Sequence, residues 1–179
     1  VEGGVAVHSQ DGHITLTDLR GTVSGNSDDG SVSAKHVRGD SLSMRSGDGH
    51  LSLDDVAVGS LEARTGDGRI EAHGLTVSGD APKAVLHSDD GSITLDGSLA
   101  AGGSYEVSSN DGSIRVRLGP GTDLTVDAST NDGRVLVDGA ASDSPDDSAH
   151  HTVKLGSGAG NLRISSDDGS IHILTNGAV

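Results

Sequence analysis

One short unit recurs eight times in this chain and limits its folding more than any other feature. It reads hydroxyl residue, any residue, Asp-Gly, with an apolar residue two positions beyond the glycine. The Asp-Gly pairs begin at Asp11, Asp29, Asp48, Asp67, Asp90, Asp111, Asp132 and Asp168, in steps of 18, 19, 19, 23, 21, 21 and 36 residues. Two positions before each Asp stand Ser9, Ser27, Ser46, Thr65, Ser88, Ser109, Thr130 and Ser166. Three and five positions after it every residue is apolar, from Ile14 and Leu16 in the first copy to Ile171 and Ile173 in the last. Six and four positions before it the same alternation holds, and only Gly25 departs from it. Period two on both sides of a turn is the signature of strands with one face buried and one wet. No stretch carries a helical period.

A unit of about 20 residues cannot bury its own apolar face, but a stack of such units can. The expected fold is therefore all-β, a single domain over 1–179, built as a β-solenoid of about eight coils of 18–21 residues. Stacked antiparallel hairpins are the alternative, because Asp-Gly is also a strong two-residue hairpin signal. Both arrangements satisfy the parity. The likeness of the units along the whole chain favours the solenoid, in which identical rows stack as ladders. Looser second turns carry Gly21, Gly39, Gly59, Gly79, Gly103 and Gly121.

Composition agrees with a slender core. There is one Tyr, with no Phe, Trp or Cys, so Val, Ile, Leu and Ala must fill the interior. The net charge is −15, with 23 Asp against four Glu. Asp is a turn residue, so this bias means many turns and few helices. So acidic a chain does not suit a phosphate backbone, and nucleic acid is excluded as a partner class. No run of about 18 apolar residues is present. Val1 is not a natural start, and strand alternation begins within the first residues. The chain thus reads as a fragment, with membrane contact only through a segment outside it.

Stacking would set equivalent Asp side chains roughly 5 Å apart, a repulsion on the order of 1 kcal/mol per neighbour even in water. One reading makes Asp11-Gly12, Asp48-Gly49, Asp67-Gly68, Asp111-Gly112 and Asp132-Gly133 structural turns, each carboxylate accepting N–H groups of its own turn. The other places Ca²⁺ at the doubled acids Asp28–Asp29, Asp89–Asp90 and Asp167–Asp168. Calcium-binding rolls use a denser period near nine residues, so the expectation is no cofactor, with Ca²⁺ as the candidate cation. The hydroxyl row is expected to cap turn amides. Eight equivalent hydroxyls do not single out a nucleophile, which would need its own base and orienter.

The long last step contains a polar loop at about 138–151, and a smaller interruption at Ala81–Lys83 accounts for the step of 23. Long loops are usually functional or disordered, so Asp143, Asp146, Asp147, His150 and His151 are the candidate contacts for a ligand or partner. The flanks Val135–Val137 and Val153–Leu155 suggest a hairpin carrying this loop.

The runs RTGDGRIEAHGLTVSGD and HSDDGSITLDGSL resemble the β-strand-repeat, adhesin-like family of unknown function, also called toast-rack domains. The resemblance covers nearly all of the chain. It implies a β-solenoid or roll, bacterial origin, a place in the cell envelope outside the cytoplasm, and a sensing or adhesin-like role. No catalytic motif defines the family, so it implies no catalytic residue. The leading expectation is a non-enzymatic repeat domain that contacts a protein partner or envelope ligand, with self-association through the solenoid ends. The alternatives are a ligand-binding or enzymatic solenoid with a pocket near 138–151, and a calcium-stiffened structural roll.

Overall fold

In the computed structural model, residues 3–138 and 149–175 are described; they hold seventeen strands and no helix. Before each Asp-Gly turn lie β1 (Val5–Ser9), β3 (Arg20–Ser27), β5 (Arg38–Ser46), β7 (Ala57–Thr65), β9 (Lys83–Ser88), β11 (Ser104–Ser109), β13 (Leu124–Thr130) and β16 (Gly160–Ser166). After the turns lie β2 (Ile14–Thr17), β4 (Val32–Lys35), β6 (Leu51–Asp54), β8 (Ile70–Val77), β10 (Ile93–Leu99), β12 (Ile114–Leu118), β14 (Val135–Asp138) and β17 (Ile171–Thr175). A further strand, β15 (His150–Leu155), has no Asp-Gly partner.

These strands stack in two ladders. The pre-turn ladder runs β1, β3, β5, β7, β9, β11, β16, β13, β15. The post-turn ladder runs β2, β4, β6, β8, β10, β12, β17, β14. Every pairing is parallel except β13 with β15. Parallel pairing of successive units excludes the stacked-hairpin alternative. The turn backbone agrees: a two-residue hairpin loop of type I′ needs positive φ at both central residues, and no Asp-Gly residue has it.

Register places like on like. Ile70 lies between Leu51 and Ile93, and Ala63 between Met44 and Leu86. These inward rows are almost fully buried, and together they form one continuous aliphatic core. The single aromatic, Tyr105, fits because its hydroxyl reaches the Ala100 carbonyl at 2.8 Å. A short third side, not anticipated from sequence, completes the cross-section in the early coils. Its corner is made by Asp18, His36, Asp55 and Gly74, all in the left-handed region. Val37 and Val56 follow that corner and point inward, fully buried.

Regular winding, each coil directly after its chain predecessor, holds from β1–β2 through β11–β12. Beyond that the order departs from the expected eight equivalent coils. The last unit, β16–β17, inserts between β11–β12 and β13–β14. β15 then pairs antiparallel on the outer side of β13 and buries His151, Val153 and Leu155 over the end of the core. The expected hairpin of Val135–Val137 with Val153–Leu155 is therefore corrected. β14 pairs with β17 instead, and β15 with β13. β13 is thereby paired on both edges, by β16 and β15, and β14 on one, by β17. At the opposite end, no described residue covers Val7, which is 39% exposed in an inward slot that is buried in every later coil.

Candidate functional site

The turn edge is built by the hydroxyl row. Ser88 shows the pattern. Its Oγ accepts the Gly91 N–H at 3.0 Å and donates to the Gly68 carbonyl of the preceding coil at 2.9 Å. Ser46 does the same with Gly49 and Gly30, at 2.9 and 3.0 Å. The ladder also traces the changed coil order. Ser166 donates to Gly112, and Thr130 donates to Gly169. Six of the eight hydroxyls, those of Ser27, Ser46, Ser88, Ser109, Thr130 and Ser166, thus cap their own turn and tie it to the neighbouring coil, while Ser9 makes the cap alone and Thr65 the inter-coil bonds alone; that second bond was not suggested by the sequence.

The glycines of the motif owe their identity to this stacking. At Gly30, Gly49, Gly68, Gly91, Gly112, Gly133 and Gly169 an added Cβ would overlap the carbonyl oxygen of the equivalent Gly one coil away. No positive φ is involved. Gly12, in the first coil, meets only the Oγ of its own Ser9, at 2.8 Å.

The aspartates behave differently from expectation. No carboxylate of the Asp-Gly pairs accepts an N–H of its own turn among the described residues; the hydroxyl, set inward of them, takes that amide. The Asp main-chain N–H groups instead join the inter-coil ladder, as Asp29 to Gln10 and Asp111 to Asp89. All six acids of the doubled pairs, Asp28, Asp29, Asp89, Asp90, Asp167 and Asp168, are exposed. Desolvation and the neighbouring carboxylates of Asp111, Asp67 and Asp89 push the Asp90 carboxyl above its ordinary pKa. Asn110 donates to Asp89 at 3.4 Å, and Asn131 donates to Asp167 at 2.9 Å. Among the described residues no three His, Cys, Asp or Glu side chains converge as a metal site would require.

At the loop end, Asp143, Asp146 and Asp147 lie outside the described residues. His150 and His151 are not brought together: strand alternation leaves His150 exposed and turns His151 into the core beside Ala128. The residue that organises this end is Asp123, which sequence reasoning missed. Residues 156–159 carry the chain across the start of β13, since Leu124 has Leu155 on one side and Gly160 on the other. Asp123 accepts the Ala159 N–H at 3.1 Å and the Ser157 hydroxyl at 2.8 Å. These bonds, the Ala159 amide first, hold its carboxyl below the ordinary pKa. Gly156 and Gly158 supply the left-handed residues of the crossing. The visible signal was the Gly-rich run directly after Leu155.

The outer face of the post-turn ladder is less acidic than the turn edge. The slot directly after the motif glycine holds no acid in any copy, and the next outward slot holds one, Glu71. Two shallow depressions lie here, of about 380 and 230 Å³, with Thr94 and Arg115 common to both.

Ladders of aliphatic residues inside, a capped turn edge and variable outward slots define a β-solenoid repeat domain. Residues 3–174 match the family described as Toastrack DUF4097, and the chain belongs to that family. No curated protein and no solved structure matches it.

Proposed function

We propose that this chain is a non-enzymatic interaction domain of the bacterial cell envelope, outside the cytoplasm, that presents its outward slots to a protein partner or envelope ligand in an adhesin-like or sensing role. The observation that carries this reading is the division of labour in the repeat. Inward and turn positions are spent on aliphatic packing and hydroxyl capping, while the outward slots vary from coil to coil. A rigid ladder with a varied outer face suits recognition. Self-association through the ends belongs to the same proposal, with the first coil around the exposed Val7 as its surface.

The test is site-specific photo-cross-linking from outward positions in the native envelope. The reading expects a discrete adduct from one face and none from the opposite one. Adducts absent from every position, or equal from all of them, would reject it.

A calcium-stiffened turn edge is a second reading, favoured by the carboxylate repulsion at Asp90. A bound cation would relieve that repulsion. Melting that is the same in Ca²⁺ and in chelator would eliminate it.

A further inference from the structure

Among the described residues, two large apolar side chains are exposed, Val7 and Leu136. Val7 belongs to the first coil. Leu136, 45% exposed, stands on the wall of the solenoid, on β14. In its register row, His172 of β17 comes next and Arg115 of β12 after it. At the usual strand spacing, Arg115 and Leu136 are about 10 Å apart. The neighbouring basic side chains are engaged: Arg117 pairs with Asp96 at 3.4 Å, and His172 Nε2 is hydrogen-bonded to Asp138 at 2.6 Å. Arg115 has no ion pair or hydrogen bond among the described residues. Arg115, His172 and Leu136 line one depression of about 380 Å³, together with the hydroxyl residues Thr94, Ser113 and Ser170.

A guanidinium offers a planar fork of donors that fits a carboxylate, and it is weakly hydrated, so it gives up water readily. A chain of net charge −15 repels anions at long range. A small bare anion would therefore gain little here, and a ligand must add apolar contact to be held. The exposed Leu136 provides that contact at a fixed distance from the charge. The spacing depends on the inserted last unit, because without β17 between them β12 and β14 would be adjacent.

We propose that this depression binds a linear aliphatic carboxylate of medium chain length. The carboxylate accepts N–H groups from Arg115 and the hydroxyl of Thr94, and the chain lies past His172 onto Leu136. This site is independent of the protein-contact reading.

The test is an amide-resolved NMR titration with sodium octanoate, kept below its micelle concentration. Octanoate should shift Arg115, His172 and Leu136, and acetate at equal concentration should shift them far less. Arg115→Gln should weaken apparent affinity at least tenfold. Leu136→Ser should bring octanoate down to the level of acetate. Both substitutions are on the surface, and circular dichroism verifies that each variant is folded. An unchanged titration in Arg115→Gln, equal shifts with acetate, or shifts centred on Val7 would each overturn the proposal.

Discussion

Replacing Gly68 by Ala adds one methyl group in the middle of the stack. Its Cβ would fall on the Gly49 carbonyl oxygen and within 2.6 Å of Thr65 Oγ1, far inside ordinary contact. The overlapped oxygen is backbone, and it already accepts the Thr65 hydroxyl at 2.8 Å. Relief requires the two coils to part. Overpacking of this kind costs roughly 1–3 kcal/mol, and one weakened hydrogen bond adds about 1 kcal/mol. A loss near 3 kcal/mol in a domain of this size lowers the melting temperature by roughly 6–12 °C. The control is Gly12→Ala. There the nearest atom is the Ser9 hydroxyl, which can rotate into solvent, and the reduced entropy of the unfolded chain offsets part of any strain. Its loss should stay under about 1 kcal/mol. Urea and thermal unfolding of both variants measure the difference, and hydrogen exchange in β6–β8 separates fraying of the first coil from global unfolding. Equal losses in the two variants, or a larger one at Gly12, would refute the claim that close coil stacking is what demands glycine.

Outcomes at four further positions are expected. Ser88→Ala removes a fully buried hydroxyl that donates to the Gly66 and Gly68 carbonyls and leaves the Gly91 amide without its cap, so a loss of about 1–3 kcal/mol is expected in urea unfolding. Ser9→Ala, in the exposed first coil, should lose a fraction of that. The two shifted carboxyls act in opposite directions with pH. The folded pKa of Asp123 is lowered, so its stabilisation is present above the unfolded value and is lost as pH falls through the folded one. Asp123→Asn should therefore flatten the acid limb of the stability curve. The folded pKa of Asp90 is raised, so its protonated form favours folding and its ionisation opposes it as pH rises. Asp90→Asn should then stabilise the protein at neutral pH, and a destabilisation there would contradict the repulsion ladder.

The repeat made most of the fold legible. Period-two alternation around Ser/Thr-x-Asp-Gly identified the inward residues, and the hydroxyl row was read as caps. What sequence could not separate was the cause of the Asp-Gly pair, because a hairpin turn and a stacking turn use the same two letters. Only the parallel register and the absence of positive φ distinguish them. The third side escaped notice because its corner mixes Asp18, His36, Asp55 and Gly74, which share a left-handed conformation but no side-chain character. The inserted last unit escaped for a deeper reason. All units present the same inward pattern, so any order of stacking satisfies the parity, and the choice falls to the connection held by Asp123. Adjacency in sequence makes His150 and His151 a candidate pair, whereas strand alternation sends neighbours to opposite faces. Arg115 and Leu136, 21 residues apart, become members of one depression only through the stack.

The spatial order of the coils is the claim on which the loop end, the cap and the carboxylate site all depend, and disulfide trapping tests it directly. The chain has no cysteine of its own, so introduced pairs report cleanly. Ser108 and Ser165 are register partners on adjacent strands, while Ser165 in turn separates Ser108 from Ser129. A disulfide needs Cα atoms within about 7 Å; adjacent strands meet that limit and strands two apart, near 10 Å, do not. Under mild oxidation, Ser108→Cys with Ser165→Cys should cross-link rapidly, and Ser108→Cys with Ser129→Cys should stay reduced. The reverse pattern would show that the coils stack in simple chain order and that the account is wrong.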